Sequence, residues 1–121
     1  MPEPVLTETL MTEILRERAL KICQLSLEIT TRRMAQAWAE LHAHINTFTA
    51  DVLPVDAPTS GNRHPLAKLN LALDHYDFHS PHERAEYFRE RLTETDQYIA
   101  YLNLLLAQGK VVTVEATRGA A

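Results

Sequence analysis

Apolar residues recur at steps of three and four through residues 80–109, SPHERAEYFRERLTETDQYIAYLNLLLAQG. Ala85, Phe88, Leu92, Thr95, Ile99, Leu102 and Leu106 fall on one face of a helix with about 3.6 residues per turn. Both ends are marked. Ser80 is a natural N-cap, Pro81 suits the first helical position, and Glu83 completes a capping box. Gly109 supplies the left-handed residue that commonly ends a helix. The pattern predicts one complete amphipathic helix.

Residues 8–50 contain neither glycine nor proline, which also reads as helix. One apolar stripe is Met11, Leu15, Ile22, Leu25 and Ile29; a second is Leu20, Leu27, Met34, Trp38, Leu41, Ile45 and Phe48. The first stripe stops at Ile29, so the first half is apolar over a wide arc and should pack on two sides. A single helix would be about 60 Å long. The weakly helical run Ile29, Thr30 and Thr31 offers a break, but the second stripe keeps its phase across it and favours one long helix over two.

Residues 51–65 hold three prolines and a glycine and read as a long loop, with Val52, Leu53 and Val55 tucked onto the core. Residues 65–78 read as a shorter helix buried through Leu66, Leu69, Leu73 and Tyr76. After Gly109, the valines at 111, 112 and 114 suggest an extended segment with no partner strand in the chain. The expected fold is all-α: one domain over residues 1–121, a small antiparallel bundle of three or four helices. It has a frayed lead-in at 1–7, a long N-terminal helix and an extended or disordered tail at 110–121.

Length, 121 residues, suffices for a hydrophobic core without covalent staples. The net charge of −4 opposes nucleic-acid binding as a whole-protein property. A single cysteine, Cys23, excludes an internal disulfide and points to a reducing cytoplasm. No apolar run approaches the ~20 residues of a membrane span, and the acidic, proline-bearing start is unlike a signal peptide.

Candidate chemistry is sparse. His42 and His44 lie two apart, so on a helix they would diverge and could not share a metal ion. His75 and His79 have the four-residue spacing of a helical metal pair, with Asp74, Asp77, His82 and Glu83 nearby, and a metal-binding bundle is one alternative. The bland reading is a polar corner at a helix start. Cys23 lies beside the second stripe and reads as a core residue rather than a nucleophile. Three glycines leave little scope for a phosphate cradle, so no catalytic residue and no cofactor is assigned. Arg16, Arg18, Lys21, Arg32, Arg33, Arg63 and His64 could serve a nucleic-acid-binding subunit, but Glu13, Glu17 and Glu28 interleave with the helical ones, as on a solvated face.

The most informative feature is a second stripe on the 80–109 helix: Glu83, Tyr87, Glu90, Glu94, Gln97 and Tyr101, opposite the predicted core face. Tyrosines on an acidic stripe suit a protein contact. The expected function is therefore a non-enzymatic protein-binding module, an inhibitor, adaptor or assembly factor. Its partner would be another protein or complex, including the basic nucleic-acid groove of a nucleoprotein machine. The long helix and unpaired tail suggest self-association. No family motif stands out. In size, acidity and lack of catalytic residues the chain is similar to small helical adaptors and inhibitors, including those of phages and plasmids, a likeness of type only.

Overall fold

The computed structural model describes residues 7–58, 64–74 and 79–119. The first helix, α1 (Glu8–Thr31), starts at Thr7, whose Oγ1 accepts from the Leu10 N–H at 3.1 Å. It ends where the sequence left a choice. Arg33 takes a left-handed conformation at φ 55°. The Arg33 N–H then donates to Thr30 O at 3.0 Å, and the Met34 N–H to Ile29 O at 3.2 Å. That pair of bonds is a Schellman motif, and its flanking residues Ile29 and Met34 are both buried, as the motif favours. An arginine in place of the usual glycine hides this stop from a sequence reading.

Residues beyond the stop are strands. β1 (Gln36–His42), β2 (Thr47–Leu53) and β3 (Ala67–Ala72) form an antiparallel sheet in the order β1-β2-β3. The chain is therefore mixed α/β, which overturns the all-α antiparallel bundle and the single long helix over 8–50. The turn between β1 and β2 is one 3₁₀ turn, Ala43–Ile45, closed by Asn46 at φ 47°. Asparagine is among the few residues other than glycine that tolerate this conformation. Ala37, Ala39 and Leu41 pair with Val52, Ala50 and Phe48, and Leu69 and Leu71 pair with Ala50 and Phe48, so period two, not 3.6, sorts these residues. Trp38, Leu41 and Ile45, placed on a buried helical stripe by the sequence, are exposed. The predicted helix at 65–78 gives way to β3, and Tyr76 lies outside the described residues.

The second long helix, α2 (Pro81–Gln108), runs between the predicted ends. Ser80 Oγ accepts from the Glu83 N–H at 3.2 Å, Glu83 Oε1 accepts from the Ser80 N–H at 3.1 Å, and Gly109 is left-handed at φ 63°. Arg84 pairs with Glu8, and Arg18 Nε with Asp96 Oδ1 at 2.8 Å. Starts lie beside starts and middles beside middles, so α1 and α2 run parallel. Both cover one face of the sheet, α1 over β1 and α2 over β3. The core joins Leu15, Ile22 and Ile29 of α1, Phe48, Val52 and Leu71 of the sheet, and Phe88 and Leu102 of α2. Among the described residues nothing covers the opposite face, which carries Trp38, Glu40, Lys68 and Asn70, all exposed, as an antiparallel sheet allows.

The segment after α2 stays with its own chain. The Val112 N–H donates to Met34 O and Val112 O accepts from the Val55 N–H, both at 2.8 Å. A short helix, α3 (Val114–Gly119), follows where an extended or disordered tail was expected, and Asp56 Oδ1 accepts from the Val114 N–H at 2.8 Å. The two features that suggested self-association, helix length and an unpaired tail, are thus accounted for within the chain.

Candidate protein-docking site

The buried face of α2 is Phe88, Arg91, Thr95, Tyr98, Leu102 and Leu105. Leu92, Ile99 and Leu106, placed on the core stripe by the sequence, are only partly buried at its margin. The helix is turned by about a sixth of a revolution from the predicted orientation, because it must meet both α1 and the sheet. This brings the stripe Glu83, Tyr87, Glu90, Glu94, Gln97 and Tyr101 from the back of the helix to the flank that borders β3.

Three depressions follow that flank. The largest, about 490 Å³, lies between Lys68, Leu69 and Asn70 of β3 and Glu94, Gln97 and Tyr101 of α2. The next, about 290 Å³, continues from Asn70 and Glu94 to Tyr87, Glu90 and Arg91. A third, about 180 Å³, joins Glu83, Tyr87 and Glu90 to His79 and Glu86. All six stripe residues thus line one interrupted groove. Among the described residues, Glu90 and Glu94 make no ion pair or hydrogen bond. Glu83 belongs also to the capping box, and its bonds from Ser80 hold its carboxyl below the usual carboxylate range.

The groove wall is built by two residues the sequence reading did not single out. Arg91 is only 4% exposed. Its Nη1 donates to Ala72 O and, at 3.3 Å, to Asp74 O, and its guanidinium lies 4.5 Å from the Tyr87 ring centroid. His79 stands against the other side of this cluster, 5.8 Å from Tyr87 between ring centroids. Tyr98, 5% exposed, lines the largest of these depressions, with its hydroxyl buried and without a hydrogen-bond partner among the described residues. Burial pushes its phenol well above the ordinary tyrosine range, with Asp51 and Tyr101 adding to the shift, and burial raises Tyr101 as well.

β3 is the sheet edge along this groove. The Leu73 N–H donates to Asn46 O at 3.0 Å, which fixes the alternation of an antiparallel ladder. The peptide groups of Leu69 and Leu71 face β2, and those of Lys68, Asn70 and Ala72 face outward. Arg91 occupies the Ala72 carbonyl. No side chain or loop among the described residues bonds to the outward groups of Lys68 and Asn70. The other sheet edge differs: Thr30 Oγ1 accepts from the Ala37 N–H and donates to Ala37 O, both at 3.2 Å. No strand signal was read in residues 65–78, so nothing in the sequence reading placed an open edge beside the stripe.

The remaining candidates do not assemble. His42 Nε2 meets Thr49 Oγ1 at 3.0 Å across the open sheet face, and His44 is exposed. Among the described residues no group of three His, Cys, Asp or Glu side chains converges as a metal site; His75 and Asp77 lie outside them. Cys23, read as core, is exposed on α1, and partial burial of its thiol raises its pKa, which disfavours the thiolate. Of the basic residues on α1 and at its C-terminal end, Arg16 and Lys21 are exposed, Arg18 pairs with Asp96 and Arg32 Nη2 with Glu28 at 2.5 Å, while Arg33 serves the helix stop. Arg63 lies outside the described residues.

No family model matches the chain, and neither a curated protein nor a solved structure matches it. Among the described residues no helix is long and apolar enough to cross a membrane.

Proposed function

We propose that this chain is a non-enzymatic protein-binding module of the cytoplasm, an adaptor or inhibitor that holds a basic surface of a partner protein against the β3-facing flank of α2. One observation carries the reading. Among the described residues, the Glu90 and Glu94 side chains sit without ion pairs on a groove that also presents Tyr87 and Tyr101. Both carboxylates are exposed and so open to a cation of a partner, and the half-buried tyrosines beside them supply contact area at low entropic cost. The pairing of Arg18 with Asp96 and of Arg32 with Glu28 leaves less for a nucleic-acid-binding role.

The test is pairwise. A partner isolated from native extract is purified and titrated against the wild type, the Glu90→Lys/Glu94→Lys double variant, Tyr87→Ala, and Glu40→Lys as a control on the open sheet face. The reading expects the first two variants to bind more than about tenfold more weakly and Glu40→Lys to bind normally. The double variant keeps an unchanged melting curve, and Tyr87→Ala, which loses the ring against Arg91, is still folded. Equal binding by the double variant would end it.

A further inference from the structure

We infer that the groove receives an extended, lysine- or arginine-bearing segment of the partner, which adds to the sheet as a fourth strand along β3. This rests on the binding reading above and specifies the form in which the partner enters. Lys68 and Asn70 each offer one outward N–H and one outward C=O, so the open stretch can supply up to four main-chain bonds. Arg91 closes the ladder at Ala72, which sets one end of the site.

The spacing fits the charge. On an added strand every second side chain faces the α2 side, so neighbours there stand about 6.6 Å apart. Glu90 and Glu94 are separated by about 6 Å along the helix axis. Two basic residues two positions apart therefore reach both carboxylates, and the aliphatic stems between them lie against Tyr98 and Tyr101. The intervening side chains lie beside Lys68 and Asn70 on the open face.

A second copy of this chain fits less well. Antiparallel pairing of β3 with its own copy would bring Lys68 toward Lys68 and the Glu90 and Glu94 flank toward its like, and Lys68 on an edge strand is a residue type that discourages such pairing. The charge selects a basic foreign segment.

The probe is a displayed library of random nine-residue peptides, selected on the wild type; an enriched peptide is then synthesised. The inference expects lysine or arginine at alternate positions, and slowed hydrogen exchange of the Lys68 and Asn70 amides in the complex. It expects Asn70→Pro, which removes only an outward N–H, to weaken binding by about tenfold or more while Asn70→Ala does not. Methylating alternate backbone nitrogens of the peptide gives the same answer without altering the protein: one of the two alternations must abolish binding. If Glu90→Lys/Glu94→Lys loses the peptide while Asn70→Pro and both methylated peptides bind normally, strand addition is wrong and the acidic-flank reading survives. If no peptide is enriched, or enriched peptides bind the charge-reversed variant equally, both fail. Protection of the Lys68 and Asn70 amides in a concentration-dependent dimer of the free protein would assign the edge to a second copy and overturn the inference.

Discussion

Arg91 on α2 donates from Nη1 to the main-chain oxygen of Ala72 on β3. A cation that is 4% exposed thereby completes a sheet edge and fixes the helix against it. Buried charge is tolerated only when its hydrogen-bonding capacity is met, and here carbonyls of Ala72, Asp74 and Tyr87 meet part of it. Arg91→Ala leaves those strand-end carbonyls without their donor and opens a void beneath Tyr87. Urea titration should show a loss of about 2–4 kcal/mol. Arg91→Lys should recover less than half of this, because an ammonium cannot fork to several carbonyls and stack on Tyr87 at once.

Among the described residues two left-handed positions are held by residues other than glycine, Arg33 at φ 55° and Asn46 at φ 47°. Glycine removes the steric cost at such sites, against a larger loss of freedom on folding. Arg33→Gly should stabilise by about 0.5–1 kcal/mol, and Asn46→Gly by less, since asparagine already tolerates the conformation. Gly109→Ala should cost about 1 kcal/mol, although no atom lies within 4 Å of the added Cβ, because only φ 63° opposes it. Thermal melts of the three variants check the signs.

Ser26 Oγ and the Tyr98 hydroxyl are buried without partners among the described residues. Ser26→Ala should be neutral or stabilising by up to about 1 kcal/mol, the reverse of an ordinary core truncation. Tyr98→Phe should behave alike at neutral pH. It has a second signature. The phenol's pKa is raised on folding, so its contribution is intact below the unfolded value of about 10 and falls away as pH climbs past it. Wild type should therefore lose stability above pH ~10 faster than Tyr98→Phe in parallel alkaline denaturation.

The capping box titrates in the opposite sense. The Glu83 carboxyl is held low by its bonds from Ser80. Its contribution is present above the unfolded value of about 4.3 and disappears as pH falls through the lower folded value. Exchange at the Ser80 amide, corrected for intrinsic acid dependence, should accelerate below pH ~4 in the wild type. Glu83→Gln should show no such step, since glutamine accepts the same bond without titrating.

The two ends of α2 could be read directly because cap residues act locally: Ser80, Pro81, Glu83 and Gly109 specify them whatever packs nearby. That the residues from Glu83 to Tyr101 share one stripe is likewise a property of one helix, but its place on the flank beside β3 rather than opposite the core depends on how the helix packs. The sheet was not. Trp38, Leu41, Ile45 and Phe48 happen to fall at steps of three and four, which imitates a helical face, while the alternation that pairs Ala37 and Ala39 with the β2 residues is muted by alanine. Leu66, Leu69 and Leu73 imitate a helix likewise, and leucine favours that state; only the partners of Leu69 and Leu71 in β2 settle the matter. The glycine-free stop at Arg33 and turn at Asn46 removed the punctuation that would have exposed the error. Strand pairing is decided between segments distant in sequence, so an open edge beside an acidic helix flank has no single-segment signature.

Because α2 follows β3 in the chain and shares the cover of one sheet face with α1, that face acquires its full cover late in synthesis. A growing chain that has just released β3 from the ribosome carries Leu69 and Leu71 with no α2 to shield them, and must add 28 residues of helix after Ser80 before they are sheltered. At roughly 5–20 residues per second the apolar ribbon stays bare for seconds.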